Sequence, residues 1–324
     1  NKTYHVSSEW FGKGPGQISY EHVFTSRGWH PATTNDDKIG LVYEDSKHGY
    51  RNNTYKGKNY VKSTLYDSKE AIVDKNKLYQ TLNGRHMLEQ YFLAKGDDPN
   101  RYTNLFDGYP VWIVKPVGVG FYSGKGISVV TSFDHLKRAI NPANNYVIAK
   151  YLTNPLLYKT DSSTVEYKNK PLNILAGAKK FHIRVLVIVA TDKKYIILNE
   201  LNEIYPAILP YQNSQYDNKG IHDTHFVSHG HTGGNKDLVE RFGQEKTDMI
   251  NGQINVIVKD TVESFNPGTY NESDHGFEIF GYDFIVNQKF LVYLIEVNRK
   301  VGLEGYDPSI LFGAVLDTTE RLMY

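Results

Sequence analysis

The chain has 324 residues, 40% of them hydrophobic, enough for a full core spread over two or three lobes of ordinary domain size. Lys and Arg number 37 against 36 Asp and Glu, so the overall field offers little attraction to nucleic acid or acidic membranes, and the longest apolar run, Val185 to Ala190, is far too short to span a bilayer. Cysteine is absent, which excludes disulfides, thiolate catalysis and cysteine-ligated zinc.

No basic, apolar leader is read at the start, and a soluble, folded protein is expected. "TYHVSS" predicts an extended segment, "GQISYEHVFTSRG" a helix stopped by Gly28, and "DKIGLVYED" a second extended segment. Residues Tyr50 to Lys62, rich in Asn, Lys and Gly, predict a loop, and the sequons at Asn52 and Asn271 are taken as surface turns. "DKNKLYQTLNGRHMLEQYFLAKG" carries a helical period up to Gly96. "VWIVKP", a glycine loop, "GISVV", a helix over "SFDHLKRAI" and "YVIAKYL" then form a compact nucleotide-sized unit. Lys159 to Leu172 is polar and predicts a mobile connection. Long strands "KKFHIRVLVIVA" and "KYIILNEL", a His-rich stretch, a helix near Leu238 to Phe265 and the run "FEIFGYDFIVNQKFLVYLIEVN" complete the chain.

The loop in "WIVKPVGVGFYSGKGISVV" places Gly118, Gly120, Gly124 and Gly126 between two strands. It is not a Walker A loop, because Val119 stands where the first glycine is needed and Gly126 follows Lys125 where Ser or Thr is needed. The dinucleotide fingerprint fails at Ser123, and a protein kinase places its lysine after the loop rather than before. A hairpin flap remains, in which glycines let backbone N–H groups approach phosphate and Lys115 supplies a point charge. The alternative is a solvent-exposed hairpin tip.

In "FEIFGYDFIVNQKFLVYLIEVN" two apolar runs flank Asn287-Gln288-Lys289, which predicts an antiparallel hairpin. Glu296 and Asn298 are two residues apart and share a face, and Asp283 interrupts the first run. Carboxylates buried in such strands need neutralising. A divalent cation would do it, and two carboxylates with an amide are hard oxygen ligands suited to Mg²⁺. The alternative is that both acids sit in solvent at strand ends or pair with Arg299 and Lys300.

Together "WIVKP" with its loop, "YVIAKYLTNPLL", "KKFHIRVLVIV" and "FEIFGYDFIVNQKFLVYLIEVN" resemble, in order and spacing from about Lys75 to Leu303, the tubulin–tyrosine ligase-like family of ATP-grasp enzymes. The resemblance implies an α/β (α+β) ATP-grasp fold: a small N-terminal α/β lobe over residues 1–74, a central lobe with the glycine-rich flap over 75–158, and a C-terminal antiparallel-sheet lobe with the metal site over 159–324. It implies a cytoplasmic ligase that uses ATP and Mg²⁺ to join a free amino acid to a carboxylate of a protein or peptide tail, tubulin being one possible acceptor, through an acyl phosphate. Tyrosine, glutamate and glycine addition stay open. No nucleic-acid or membrane partner is implied. Carried over by position, Lys115, Lys150, Tyr151 and Leu152 contact the nucleotide, with Gly118, Gly120, Gly124 and Gly126 over its phosphates. Asp283, Glu296 and Asn298 match the magnesium ligands and Arg184 an arginine near the γ-phosphate. Lys180, His182 and Arg184, on one strand face, are the catalytic candidates.

Several positions depart from the family's pattern: His182 stands for an aspartate, Ala149 for a glutamine, Tyr205 for an arginine and His225 for an asparagine. A ligase joining small molecules and a nucleotide-binding interaction protein without turnover therefore remain alternatives. His222, His225, His229 and His231 lack zincin spacing, and a loop whose histidines meet substrate, phosphate or water is preferred to a zinc site. Lys179, Lys180, Arg184, Arg299 and Lys300 are candidates for a local basic groove.

Overall fold

The computed structural model describes residues 2–8, 11–15, 17–33, 35–36, 38–44, 61–63, 65, 69–118, 125–167, 169–225, 233–268, 275–299 and 301–324. Gly120, Gly124, His229, His231, Lys300 and both sequon asparagines lie outside the described residues. The chain begins with β1 (Thr3–Ser7), α1 (Glu21–Ser26), β2 (His30–Pro31), β3 (Leu41–Glu44) and β4 (Val61–Lys62). These four strands pair in parallel. The first helix starts later than its apolar pattern predicts because Ile18 bridges Phe11 instead, and Val61 and Lys62, expected in a loop, join the sheet.

Next come α2 (Glu70–Val73), α3 (Lys75–Thr81), β5 (Gln90–Leu93), α4 (Leu105–Gly108), β6 (Trp112–Val117), β7 (Ser128–Val130), α5 (Phe133–Ala139) and β8 (Asn145–Lys150). The long helix predicted up to Gly96 ends at Thr81. Asn83, Gly84 and His86 adopt φ of +51°, +72° and +63°, left-handed positions that an α-helix does not continue through, and Gln90–Leu93 is a strand. β6 and β7 pair antiparallel, as the hairpin reading expects, in a four-stranded sheet ordered β5-β8-β6-β7. Ser132 caps α5 by accepting the His135 N–H.

The remaining elements are β9 (Leu157–Thr160), β10 (Ser163–Tyr167), β11 (Lys170–Ile174), β12 (Gly177–Ala190), β13 (Tyr195–Ile197), β14 (Glu203–Pro206), α6 (Lys219–His222), α7 (Gly234–Phe242), α8 (Gln244–Ser264), β15 (His275–Val286), β16 (Val292–Asn298) and α9 (Pro308–Met323). In place of the mobile connection stands an ordered strand and a two-stranded hairpin. Its polar faces are mostly exposed, so it carries no hydrophobic alternation to announce it. The helix expected near 238–265 is two helices, split at Gly243 with φ +82° and ψ 162°. Only glycine takes that conformation readily, and a Cβ there meets nothing within 4 Å, so Gly243→Ala isolates the backbone cost. It is expected to lower unfolding free energy by about 1–3 kcal/mol in urea titrations.

β12 and β15 form the centre of a ten-stranded sheet whose path runs β13-β12-β15-β4-β3-β1-β2, with β9 and β14 also on β12 and β16 on β15. Both faces of this centre are buried, which is why these strands read as nearly continuous apolar runs. Val185, Val187, Phe280, Tyr282 and Phe284 pack with Ile250, Ile254 and Val258 of α8. Leu186, Ile188, Phe277 and Ile279 pack with Leu311, Phe312 and Val315 of α9 on the other face. Lys180, His182, Arg184 and Asp283 share that second face by strand alternation. The architecture is a mixed α/β one with several sheets. Among the described residues, no helix is long and apolar enough to cross a membrane.

Candidate functional site

Register brings the polar exceptions into one row. Arg184 on β12 lies opposite Glu203 of β14 on one side and Asp283 of β15 on the other, and Asp283 lies opposite Glu296 of β16. The register of β15 and β16 shifts between Asp283 and Phe284, so Ile295 is the extra residue and Glu296 is aimed back onto the face of Asp283. Gly281 makes room for the row, since a Cβ there would stand 2.9 Å from Val301 and 3.3 Å from the Arg184 Cδ.

Arg184 grips Asp283 with two parallel bonds, Nε to Oδ1 at 2.6 Å and Nη2 to Oδ2 at 2.7 Å. The Asn298 amide donates to Asp283 Oδ2 and to Glu296 Oε1, each at 3.1 Å. Lys75 Nζ, at the start of α3, pairs with Glu296 Oε2 at 2.7 Å. Burial acts to raise the Asp283 carboxyl, but the Arg184 charge outweighs it and holds the group far below the usual carboxylate range. Glu296 is likewise pushed up by burial and pulled down further by Lys75, to about 2. Both acids are therefore ionised and neither sits free in solvent, Asp283 being fully buried and the Glu296 side chain 15% exposed; Arg299 pairs with Glu70 at 3.2 Å instead.

Of these groups Lys75, Glu296 and Asn298 line a cavity of about 310 Å³. Its opposite wall is the four-stranded sheet, through Ile113, Lys115, Val129 and Ala149, and its floor includes Lys180, Glu296 and Asn298. Lys115 is desolvated, which lowers its pKa, while Glu296 acts against that. Lys180 donates to the His222 carbonyl at 2.9 Å and lies 4.2 Å from the Tyr151 ring centroid. Its burial, with the Lys115 charge adding to it, lowers its pKa to about 7. Because the folded pKa is below the unfolded one, the unfolded chain binds more protons between about pH 7 and 10.5, and the penalty for burying Lys180 is complete below that window. Lys180→Met is expected to stabilise the fold at pH 6 by roughly 1–2 kcal/mol once lost ring and carbonyl contacts are discounted, with the gain shrinking as pH rises past 7. Urea titrations of both proteins at pH 6 and 9 check this.

Lys150, Tyr151 and Leu152 also line the cavity. The Lys150 ammonium pairs with Glu89 at 2.6 Å, and the Lys150 and Tyr151 N–H groups donate to the Glu89 and Val111 carbonyls. Tyr151 Oη sits 2.7 Å from His222 Nδ1, and His222 Nε2 lies 2.8 Å from the Ser214 carbonyl. Donation from Nε2–H to that carbonyl leaves Nδ1 to accept from the tyrosine. Gly118 and Gly126, with φ of +131° and +77°, flank the undescribed part of the glycine loop. Asp283, Arg184 and His182 stand behind the cavity wall rather than on it.

His182 is stacked between the Tyr205 ring, 4.8 Å away at 4°, and the His225 ring, 4.3 Å away at 20°. Tyr205 and Tyr306 both donate to Glu203 Oε2, at 2.7 and 2.5 Å. The basic groove is corrected: Lys179 points to the opposite face of β12 from Lys180 and is fully buried, Arg184 is spent on Asp283 and Arg299 on Glu70. Lys75, Glu203 and Tyr306 were not singled out from the sequence. Lys75 carries no local signal beyond a helix start after Asp74, and α9, which brings Tyr306 in, is announced only by Asp307-Pro308 at its cap.

A family model described as "Tubulin-tyrosine ligase family" matches residues 45–199 and 206–300, the break spanning 200–205 and so including Glu203 and Tyr205. Tubulin glycylase 3C of Tetrahymena thermophila is 27% identical over 238 residues, covering 66% of this chain and 19% of the relative. A probable alpha-tubulin polyglutamylase of the same organism is 23% identical over 256 residues, covering 68% and 56% respectively. A probable tubulin–tyrosine ligase of Saccharomyces cerevisiae, PBY1, is 24% identical over 207 residues, covering 58% and 25%. The chain thus aligns with from about a fifth to just over half the length of these relatives.

Proposed function

The chain belongs to the tubulin-tyrosine ligase family, and on that premise we propose that it is an ATP- and Mg²⁺-dependent ATP-grasp ligase that joins an amino acid to a carboxylate of a protein or peptide tail. The observation that carries this reading is the meeting of Lys75, Lys115 and Lys180 with Glu296 and Asn298 on one cavity, with Asp283 bonded to Asn298 directly behind its wall. Three cationic stems facing two ionised carboxylates suit a polyanion bound together with a divalent cation.

The residues present fit Mg²⁺: hard oxygen donors, with both carboxylates held within reach of one amide group. Asp283, Glu296 and Asn298 would hold it, the amide turning to present its oxygen. When bound, the ion neutralises phosphate oxygens and draws electron density from the transferring group. Lys115 and Lys180 supply positive charge to the triphosphate, which bound phosphate would keep protonated at Lys180. Tyr151 and Leu152, just past the end of β8, with Ile113 on the neighbouring strand β6, give the apolar surface on which a base can lie. The glycine loop would close over the phosphates and exclude water. An acceptor carboxylate attacks the γ-phosphorus, ADP leaves, and the amine of the second substrate displaces phosphate from the resulting acyl phosphate to form the amide. No side chain need act as a covalent nucleophile.

The test supplies the purified chain with Mg²⁺, ATP, mixed amino acids and acceptor peptides that include tubulin tails. The expected result is ADP release coupled to an increase in peptide mass by one or more aminoacyl residues. ADP release that needs no polypeptide would move the reading to a small-molecule ligase, and ATP binding with no ADP formed under any acceptor would reject catalysis.

A further inference from the structure

We propose that His182, His225 and Asp283 form a separate cation site, one for a first-row transition-metal ion, adjoining the cluster assigned above to Mg²⁺. One ligand atom from each residue lies within 4.8 Å of the others. Ligands around tetrahedral zinc stand about 3.3 Å apart, from bond lengths near 2.0–2.1 Å, so small side-chain rotations close the site.

The decisive group is His182. It is 1% exposed, its Nδ1 lies 2.7 Å from Thr224 Oγ1, and its Nε2 is buried with no hydrogen-bond partner among the described residues. With Nδ1–H donated to the Thr224 hydroxyl, Nε2 carries a free lone pair. His225 presents Nε2 at 3.5 Å from Asp283 Oδ2 while its Nδ1 lies 3.9 Å from Asp223 Oδ1. Each ring therefore turns one nitrogen toward Asp283 or its neighbourhood and has an oxygen near the other, the arrangement in which outer groups orient metal-binding imidazoles. A simple His225–Asp283 ion pair accounts for His225, but it leaves His182 Nε2 buried and unmatched, at the cost of its desolvation. A bound ion satisfies all three.

Two imidazoles and one carboxylate favour Zn²⁺, Co²⁺ or Fe²⁺ over Mg²⁺ and leave a coordination position open. Arg184 and Asn298 also contact Asp283 Oδ2, so an ion there takes the place of the Asn298 amide bond. Asp283 belongs to both sites, but this proposal does not require nucleotide to bind.

The test loads the metal-free full chain with Zn²⁺ or Co²⁺ alone and measures bound metal, the visible Co²⁺ spectrum and the melting temperature. Wild type is expected to retain about one ion with His182→Gln and His225→Gln each weakening it by at least about tenfold. Co²⁺-loaded wild type is expected to show paramagnetically shifted ring protons from two histidines, a readout that does not depend on a variant folding. Absence of stoichiometric uptake, unchanged uptake in both folded variants, or fewer than two shifted histidines would overturn the proposal. Glu296→Gln is expected to keep Zn²⁺ and Co²⁺ binding; if it also kept Mg²⁺-dependent ATP turnover, the Mg²⁺ assignment would fail and this site would stand.

Discussion

Asp283→Ala is expected to lower the unfolding free energy by about 3–5 kcal/mol and to abolish ATP-dependent ligation, because the two roles of this carboxylate fail together. Asp283 is fully buried, and it alone meets Arg184 through both oxygens in the row that crosses β12, β15 and β16. Alanine would strip the guanidinium, whose side chain is 18% exposed, of its bidentate partner and leave across the sheet only Glu203, a carboxylate already accepting from Tyr205 and Tyr306. Urea titration at neutral pH measures the loss. The double replacement Arg184→Leu with Asp283→Leu separates the roles: it is expected to recover most of the stability and none of the turnover, since an apolar pair of similar volume carries no desolvation cost. Recovery of turnover in the double variant would show that the row is architecture alone.

Glu296→Gln is expected to reduce the rate of ATP-dependent ligation by about 10²–10³-fold with the fold intact. The amide keeps the shape and the Asn298 contact but removes the charge that Lys75 and the proposed ion require. Initial rates at saturating ATP, with melting temperatures alongside, decide it; a rate within about tenfold of wild type would contradict the assignment of Glu296. The same residue sets an acid limit. With a folded pKa of about 2 against an ordinary 4.5, Glu296 contributes its full stabilisation above pH 4.5 and loses it as pH falls toward 2. Glu296→Gln should flatten that part of the acid unfolding profile.

Much of the candidate site was legible before any fold was known. Asp283 interrupts an apolar run, and Glu296 and Asn298 share a face at the strand period, so charge burial and alternation already pointed to a compensated cluster. The hairpins around the glycine loop and at the C-terminal end were legible for the same reason. Reading failed where the local pattern was ambiguous or silent. The apolar period after Lys75 ran on through Asn83, Gly84 and His86, whose left-handed backbone turns the chain into β5. The exposed hairpin of β10 and β11 has little buried alternation to betray it.

What the sequence alone determined is therefore the kind of group on each face of the long strands, because side-chain direction follows the two-residue period. Which charges meet was decided by tertiary structure: register sets Arg184 against Asp283, a bulge at Ile295 returns Glu296 to that face, and a distant helix delivers Lys75. The aspect of His182 changed most, from one ambiguous strand histidine to a ring stacked on His225 with an unmatched nitrogen. The physical reason is that alternation is local, whereas Coulomb and hydrogen-bond partners are fixed only when strands far apart in the chain are laid side by side.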